Sequence, residues 1–128
     1  LEPERYRAEP YVLPGNVDGP DSPLHGRAGW TWYTGSAQWL HRVVCERVVG
    51  VRPEWDGMRV DPCLPPGWDE VRMTRPWRDA TLEVAVVRDA ALATGEVRIA
   101  VDGKPLDGTL VPPAPAGATV RVEAGFGA

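Results

Sequence analysis

Two six-residue runs, Thr81-Leu82-Glu83-Val84-Ala85-Val86 and Glu96-Val97-Arg98-Ile99-Ala100-Val101, alternate between polar and apolar side chains. Successive side chains of a strand point to opposite faces, so such a run builds a sheet with one face on a core and the other in water. That is the habit of antiparallel sheets, and it argues against a helical bundle. Asp102-Gly103 follows the second run directly, the residue pair that tight hairpins favour. Similar patterns predict strands over residues 58–61, 71–77, 81–88, 96–101, 106–111 and 119–123, with a further turn at Asp56-Gly57. The run from Pro112 to Gly117 reads as a loop. Fourteen glycines and fourteen prolines suit short elements broken by many turns. Residues 54–128 therefore read as an antiparallel two-sheet sandwich or jelly roll.

The first 53 residues read differently. Residues 1 to about 35 show no periodicity and are punctuated by Pro10, Pro14, Gly15, Gly19, Pro20, Pro23, Gly26 and Gly29. A stretch this long without structure is usually functional or packed on something else, so it reads as a loop laid on a partner surface. One helix is predicted over residues 35–49. Ala37, Leu40, Val43, Val44 and Val48 form its apolar stripe, widened by Trp39 and Cys45. Thr34 or Ser36 can cap its start. Gly50 suits the left-handed residue beyond its end, and Pro53 prevents continuation. So apolar a helix implies protein on more than one side. The class is α+β, mainly β, with one domain over 1–53 and another over 54–128.

Charge and composition exclude some functions. The net charge of −4 does not suit a nucleic-acid binder, which leans on Lys and Arg. No apolar run approaches the ~18 residues a membrane span needs. Cys45 and Cys63 make no disulfide framework, and a reducing compartment is the default. The opening Leu1-Glu2-Pro3-Glu4 reads as the inside of a longer chain.

The stretch Gly29-Trp30-Thr31-Trp32-Tyr33-Thr34-Gly35-Ser36 runs aromatic residues into small hydroxyl residues just where the helix begins. A helix start exposes unpaired N–H groups at the positive end of the dipole. Thr34, Gly35 and Ser36 either hold an anion such as phosphate there or simply cap the helix. Trp30, Trp32 and Tyr33 either stack on a sugar or fill a core, and their size favours the core for at least two of them. His25 and Arg27 either meet an anion or hydroxyl or lie solvated in their loop. His41 and Cys45 share a helix face, but two ligands make no zinc site, and no metal is expected. The carboxylates show no spacing that marks a glycosidase pair, and no GxSxG nucleophile motif occurs.

Several motifs in one order resemble a known family. Glu9-Pro10-Tyr11-Val12, His25-Gly26-Arg27 and Trp30 to Trp39 are similar to the end of the catalytic domain of cellobiose-phosphorylase-type enzymes. Gly50-Val51-Arg52-Pro53-Glu54 and Asp61-Pro62-Cys63-Leu64-Pro65 resemble the family's passage into a C-terminal β-sandwich. The wording around Trp30 to Ser36 looks closest to the phosphorylase-like tail of cyclic β-1,2-glucan synthases. The resemblance implies an α/α-barrel end followed by the sandwich. It implies an inverting reaction in which inorganic phosphate, as co-substrate, takes a glucosyl unit from a β-glucan. No other cofactor is implied. Thr34 and Gly35 carry over as phosphate contacts. The family's general acid lies upstream, so no catalytic residue is expected in this chain, and the chain alone is expected to be inactive. Where the cellobiose and chitobiose members have a sugar-touching Gln, this sequence has Gly15, which implies another linkage or acceptor.

The implied partners are β-glucan oligosaccharide, phosphate and the upstream barrel of the same protein. The implied location is the cytoplasm, or the cytoplasmic face of the inner membrane for a cyclic glucan synthase. A stand-alone carbohydrate-binding module with exposed tryptophans, or a purely structural sandwich, are the competing expectations.

Overall fold

The alternation of residues 81–86 becomes the middle of a nine-residue strand, with Leu82, Val84 and Val86 buried and Glu83 exposed between them. The computed structural model describes residues 2–9, 12–31 and 34–127, and Thr34 in its backbone alone. The chain divides into two units, Leu1–Val43 and Val44–Ala128.

The first unit is built of short pieces. A single helical turn α1, Pro3–Tyr6, closes on Arg7, whose N–H donates to the Pro3 carbonyl. Two-residue strands β1, Asn16–Val17, and β2, Ala28–Gly29, pair antiparallel. The loop between them is tied by Asp18 N–H to Arg27 O (2.9 Å) and Gly26 N–H to Asp18 O (2.8 Å). The stretch expected to be irregular thus holds a small hairpin that no periodicity announces, because two residues are too few to show one. The helix α2 follows over Thr34–Val43. Its stripe is open here, with Trp39, Leu40 and Val43 all exposed. Among the described residues of this unit only Ala28 is buried. So little burial does not offset the entropy of ordering the chain.

The second unit opens with a π-turn, Val44–Val48, in which Val49 N–H reaches the Val44 carbonyl at 2.8 Å. Gly50 then takes φ +79° and ends the helical run as expected. The strands are β3 Val51–Pro53, β4 Met58–Val60, β5 Glu70–Trp77, β6 Ala80–Arg88, β7 Val97–Val101, β8 Lys104–Leu106, β9 Leu110–Val111 and β10 Thr119–Phe126. They form a five-stranded sheet in the order β5-β6-β10-β7-β8 and a three-stranded sheet in the order β3-β4-β9. Side chains from both sheets join one apolar cluster that includes Val51, Met58, Val60, Val84, Ile99, Val111 and Val122. The mainly β class is therefore as read.

Three details differ from the sequence reading. The pairing is antiparallel except between β6 and β10, which run parallel from Thr119↔Thr81 to Phe126↔Arg88. The strand expected over 106–111 is two strands in different sheets. Gly108, at φ +81°, turns the chain between them. β10 extends past the expected 123 through Ala124 and Gly125, because pairing on both sides supports residues of low strand preference. Asp102 (φ 48°) and Gly103 (φ 75°) make the expected tight turn between β7 and β8, with both residues left-handed. Pro76 and Pro105 sit in β5 and β8, the two outer strands, where a missing N–H costs least.

One charged brace fixes the β3–β4 hairpin. The Glu54 carboxylate accepts bonds from Arg59 Nε (2.6 Å) and Nη2 (2.9 Å) and from Arg52 Nη2 (3.2 Å). Arg59 Nη1 also donates to Thr109 Oγ1 at 3.1 Å, tying the hairpin to the entry of β9. The Arg59 bonds, above all, hold the Glu54 carboxyl down at about 2. The unfolded chain therefore takes up this proton first as pH falls. The stabilising effect of the brace is complete above the ordinary value of 4.5 and is lost as pH falls from there through about 2. Thermal melts from about pH 5 to about pH 2 are expected to fall more steeply for the native chain than for Glu54→Gln. Parallel curves would show that Glu54 carries no linkage.

Candidate functional site

The first turn of α2 is where the sequence places its anion-holding candidates, Thr34, Gly35 and Ser36. The described run of α2 begins at Thr34, with Trp32 and Tyr33 before it outside the described residues, and Ser36 stands inside the first turn. The first-turn N–H groups have no partner within the helix, and they sit at the positive dipole end. No acidic side chain lies in that turn to satisfy the dipole from within. Gly35 is exposed, and among the described residues nothing stands within 4 Å of a Cβ placed on it. With no Cβ of its own, Gly35 lets an anion come close to the backbone. Ser36 is half-buried and Ala37 beside it carries no competing group.

The aromatic approach to this turn is only partly described. Trp32 and Tyr33, read as core or sugar-stacking residues, lie outside the described residues. Trp30 is not a core residue: it is 72% exposed, at φ 52°. Its carbonyl accepts Gly15 N–H at 2.8 Å, so the end of the hairpin fixes its backbone in the left-handed region. Next to it, Thr31 Oγ1 donates to the Glu9 carboxylate at 3.1 Å. A backbone bond at Glu9 and then this hydroxyl hold the Glu9 carboxyl below its usual range. The contact ties together the two motif segments that contain Glu9 and Thr31, which are far apart in sequence.

His25 and Arg27 are both exposed and share one concavity with Glu4, Arg5, Arg7 and Ser22. The His25 carbonyl accepts the Arg5 guanidinium. Arg5 also pairs with Glu2 at 3.4 Å, and Arg7 Nε donates to the Glu4 carbonyl at 3.0 Å. This gathering of positive charge was missed from sequence. Arg5 and Arg7 lie in a segment without periodicity, and only the fold of the loop brings His25 back to them. Three guanidinium groups against the Glu4 carboxylate give it donors for an anionic or hydroxyl-rich ligand, with Arg5 already paired to Glu2. Among the described residues no cluster of three or more His, Cys, Asp or Glu is placed to hold a metal, and no helix is long and apolar enough to cross a membrane.

Two domain families match successive stretches of the chain. Residues 2–50 match the catalytic domain of the glycosyl hydrolase 94 superfamily, and residues 51–107 match the C-terminal domain of glycosyl hydrolase family 65. The chain is 35% identical over 111 residues to the N,N′-diacetylchitobiose phosphorylase of Vibrio proteolyticus, covering 87% of the chain and 14% of that protein. It is 33% identical to the solabiose phosphorylase of Paenibacillus borealis, over 90% of the chain and 15% of the relative. It is 37% identical to the cyclic β-(1,2)-glucan synthase of Rhizobium meliloti, over 80% of the chain and 4% of the relative. The chain thus spans about a seventh of the length of the phosphorylases it matches.

Proposed function

We propose that this chain, a homologue of the glycoside phosphorylases across the junction of their catalytic and C-terminal domains, is the part of such an enzyme that presents a phosphate-holding helix start. The observation that carries the reading is the first turn of α2, open at Gly35 and free of acidic side chains. The N–H groups at Thr34, Gly35 and Ser36, with the hydroxyl of Ser36, would cradle inorganic phosphate. His25, Arg27, Trp30, Trp32 and Tyr33 would border the sugar.

In the reaction proposed for the whole protein, a phosphate oxygen attacks the anomeric carbon of a terminal β-glucosyl unit from the face opposite the leaving oxygen. The bond from that carbon to the leaving oxygen breaks as the new bond to phosphate forms. The products are α-glucose 1-phosphate and a shortened glucan. The proton for the leaving oxygen comes from a general acid that lies outside this chain. Phosphate takes the place of the water used by an inverting hydrolase, so one carboxylate suffices. The helix start contributes fixed donors, which meet the phosphate charge without having to reorient during the reaction. Without that general acid the isolated chain would not turn over.

A barrel supplied by the same protein would also account for two features of the first unit. Its α2 stripe is exposed at Trp39, Leu40 and Val43, and among its described residues only Ala28 is buried.

Amide NMR of the whole protein, labelled at glycine, serine and arginine and titrated with inorganic phosphate, tests the reading. The Gly35 and Ser36 amides are expected to shift. Ser36→Asp is expected to weaken the effect about tenfold while leaving the helix at least as stable, because an acidic residue in the first turn suits the dipole but repels the anion. Shifts confined to Arg5, Arg7 and Arg27, or no shifts, would overturn it.

A further inference from the structure

Trp55 stands 94% exposed at the tip of the β3–β4 hairpin, the most exposed large apolar side chain among those described. A lone exposed apolar side chain needs no explanation by itself; what marks this one is that the surrounding structure holds its backbone in place. Glu54 N–H closes the turn on Gly57 O at 2.8 Å, beside the Glu54–Arg59 brace. Gly57 is buried, and a Cβ there would meet the Val111 carbonyl at 2.6 Å, so the base of the turn sits tightly on β9.

The tip of the β5–β6 hairpin holds it from the other side. Arg78 Nη2 donates to the Trp55 carbonyl at 2.6 Å. The same guanidinium lies 4.6 Å from the centre of the Trp77 ring, and Trp77 packs against the core. Arg78 sits at φ 54°, the left-handed conformation that a two-residue hairpin tip requires and that ordinarily falls to glycine. An indole ring is thus fixed in the backbone and left open on its faces.

We propose that Trp55, with Arg78 and the carboxylates of Asp56 and Asp79 at the same two tips, forms a surface subsite that stacks a glucosyl unit of a β-linked glucan. The stacking site stands on this geometry, whereas the choice of a β-glucan rests on the function proposed above. A pyranose with equatorial hydroxyls has flat C–H faces that lie on an indole ring, while its rim of hydroxyls takes bonds from guanidinium and carboxylate groups. The surroundings of Trp55 fit that division. Its neighbours Glu54, Asp56, Arg78 and Asp79 are polar, and no other exposed large apolar side chain belongs to either tip. The buried centre of a protein interface is depleted in charge, whereas here charged side chains surround the ring. Preorganisation also favours a sugar, whose weak contacts cannot repay the ordering of a loose loop.

The test is titration of the 128-residue chain with β-linked gluco-tetraoses, read by tryptophan fluorescence and by the indole N–H signals in NMR. The Trp55 indole is expected to shift and saturate. Trp55→Ala is expected to weaken binding at least tenfold with an unchanged melting temperature, since the ring buries almost nothing. Arg78→Gly removes the guanidinium and relieves the backbone, so it is expected to weaken binding without loss of stability.

No response, or an equal response in Trp55→Ala, would overturn the proposal. So would a dimer seen by sedimentation that Trp55→Ala dissolves, since the ring would then be a protein contact. Equal binding of an α-linked tetraose would overturn the choice of β-glucan. The phosphate titration at Gly35 and Ser36 reports on the other unit, so failure there with saturable binding at Trp55 would sink the phosphorylase reading and leave this site standing.

Discussion

Gly50→Ala is expected to lower the stability of the β-rich unit by about 4 kcal/mol or more, which puts the substitution in the exceptional class. Two costs add. The first is conformational: Gly50 sits at φ +79°, and a non-glycine residue there costs about 1 kcal/mol. The second is steric and larger. A Cβ at this position would stand 2.1 Å from the Asp61 carbonyl oxygen and 2.6 Å from the Pro62 nitrogen. Both are backbone atoms, so no rotamer change relieves the clash. Moving them apart breaks the bond from Asp61 N–H to the Gly50 carbonyl at 2.9 Å. It also displaces Val49 and Val51, which are both buried. For a unit of this size the loss corresponds to a fall in melting temperature of roughly 15 °C or more.

Gly103→Ala is the control for this expectation. Gly103 has nearly the same φ, +75°, but nothing lies within 4 Å of its Cβ position. It should lose only the conformational part, about 1 kcal/mol. Calorimetry of both variants separates the two costs, and equal losses would show that Asp61 does not crowd the site. Gly50 is also the last residue of the catalytic-domain match. Only glycine fits where the helical run hands over to β3.

The sequence showed most where structure is periodic or where a residue has one conformational use. The alternation in 81–86 placed β6 correctly, and Asp102-Gly103 placed its turn, because each is decided by local geometry. The split of 106–111 into β8 and β9 was signalled by Asp107-Gly108, a turn pair of the same kind. It was overlooked because both flanks read as strand, and periodicity cannot show that a chain changes sheets. Parallel pairing of β10 with β6 is a property of tertiary arrangement with no local signature. At the candidate site, Gly35 was legible as a bare helix start. Arg5 and Arg7 were not, because a loop closed by Asp18 and Gly26 brings His25 to them. Size argues for burial of the three aromatics before the helix, and Trp30 is the one of them described and stands exposed beside a left-handed backbone at the hairpin end, so any core role falls to Trp32 and Tyr33, which lie outside the described residues.

Met58→Ala is expected to cost about 3 kcal/mol, three residues along the chain from a tryptophan whose removal should cost almost nothing. Met58 is fully buried at 0% exposure and faces the shared core from β4, paired with Val111 and Pro53. Truncating it removes transfer energy and leaves a cavity whose lining comes from both sheets, which cannot collapse together without breaking their pairing. Urea unfolding should show the midpoint falling with little change in slope, as a loss of stability without a change in the surface exposed. Trp55→Ala should stay within about 0.5 kcal/mol of the native chain, although the side chain is larger. The contrast follows from where each side chain points, since the hairpin that Met58 anchors is the one that presents Trp55. If both substitutions cost the same, Trp55 would have to be packed in solution, and its place at the surface would need another explanation. If Met58→Ala costs much less than 2 kcal/mol, the core between the sheets is plastic, and the tip that it supports is not rigid enough to preorganise a ligand.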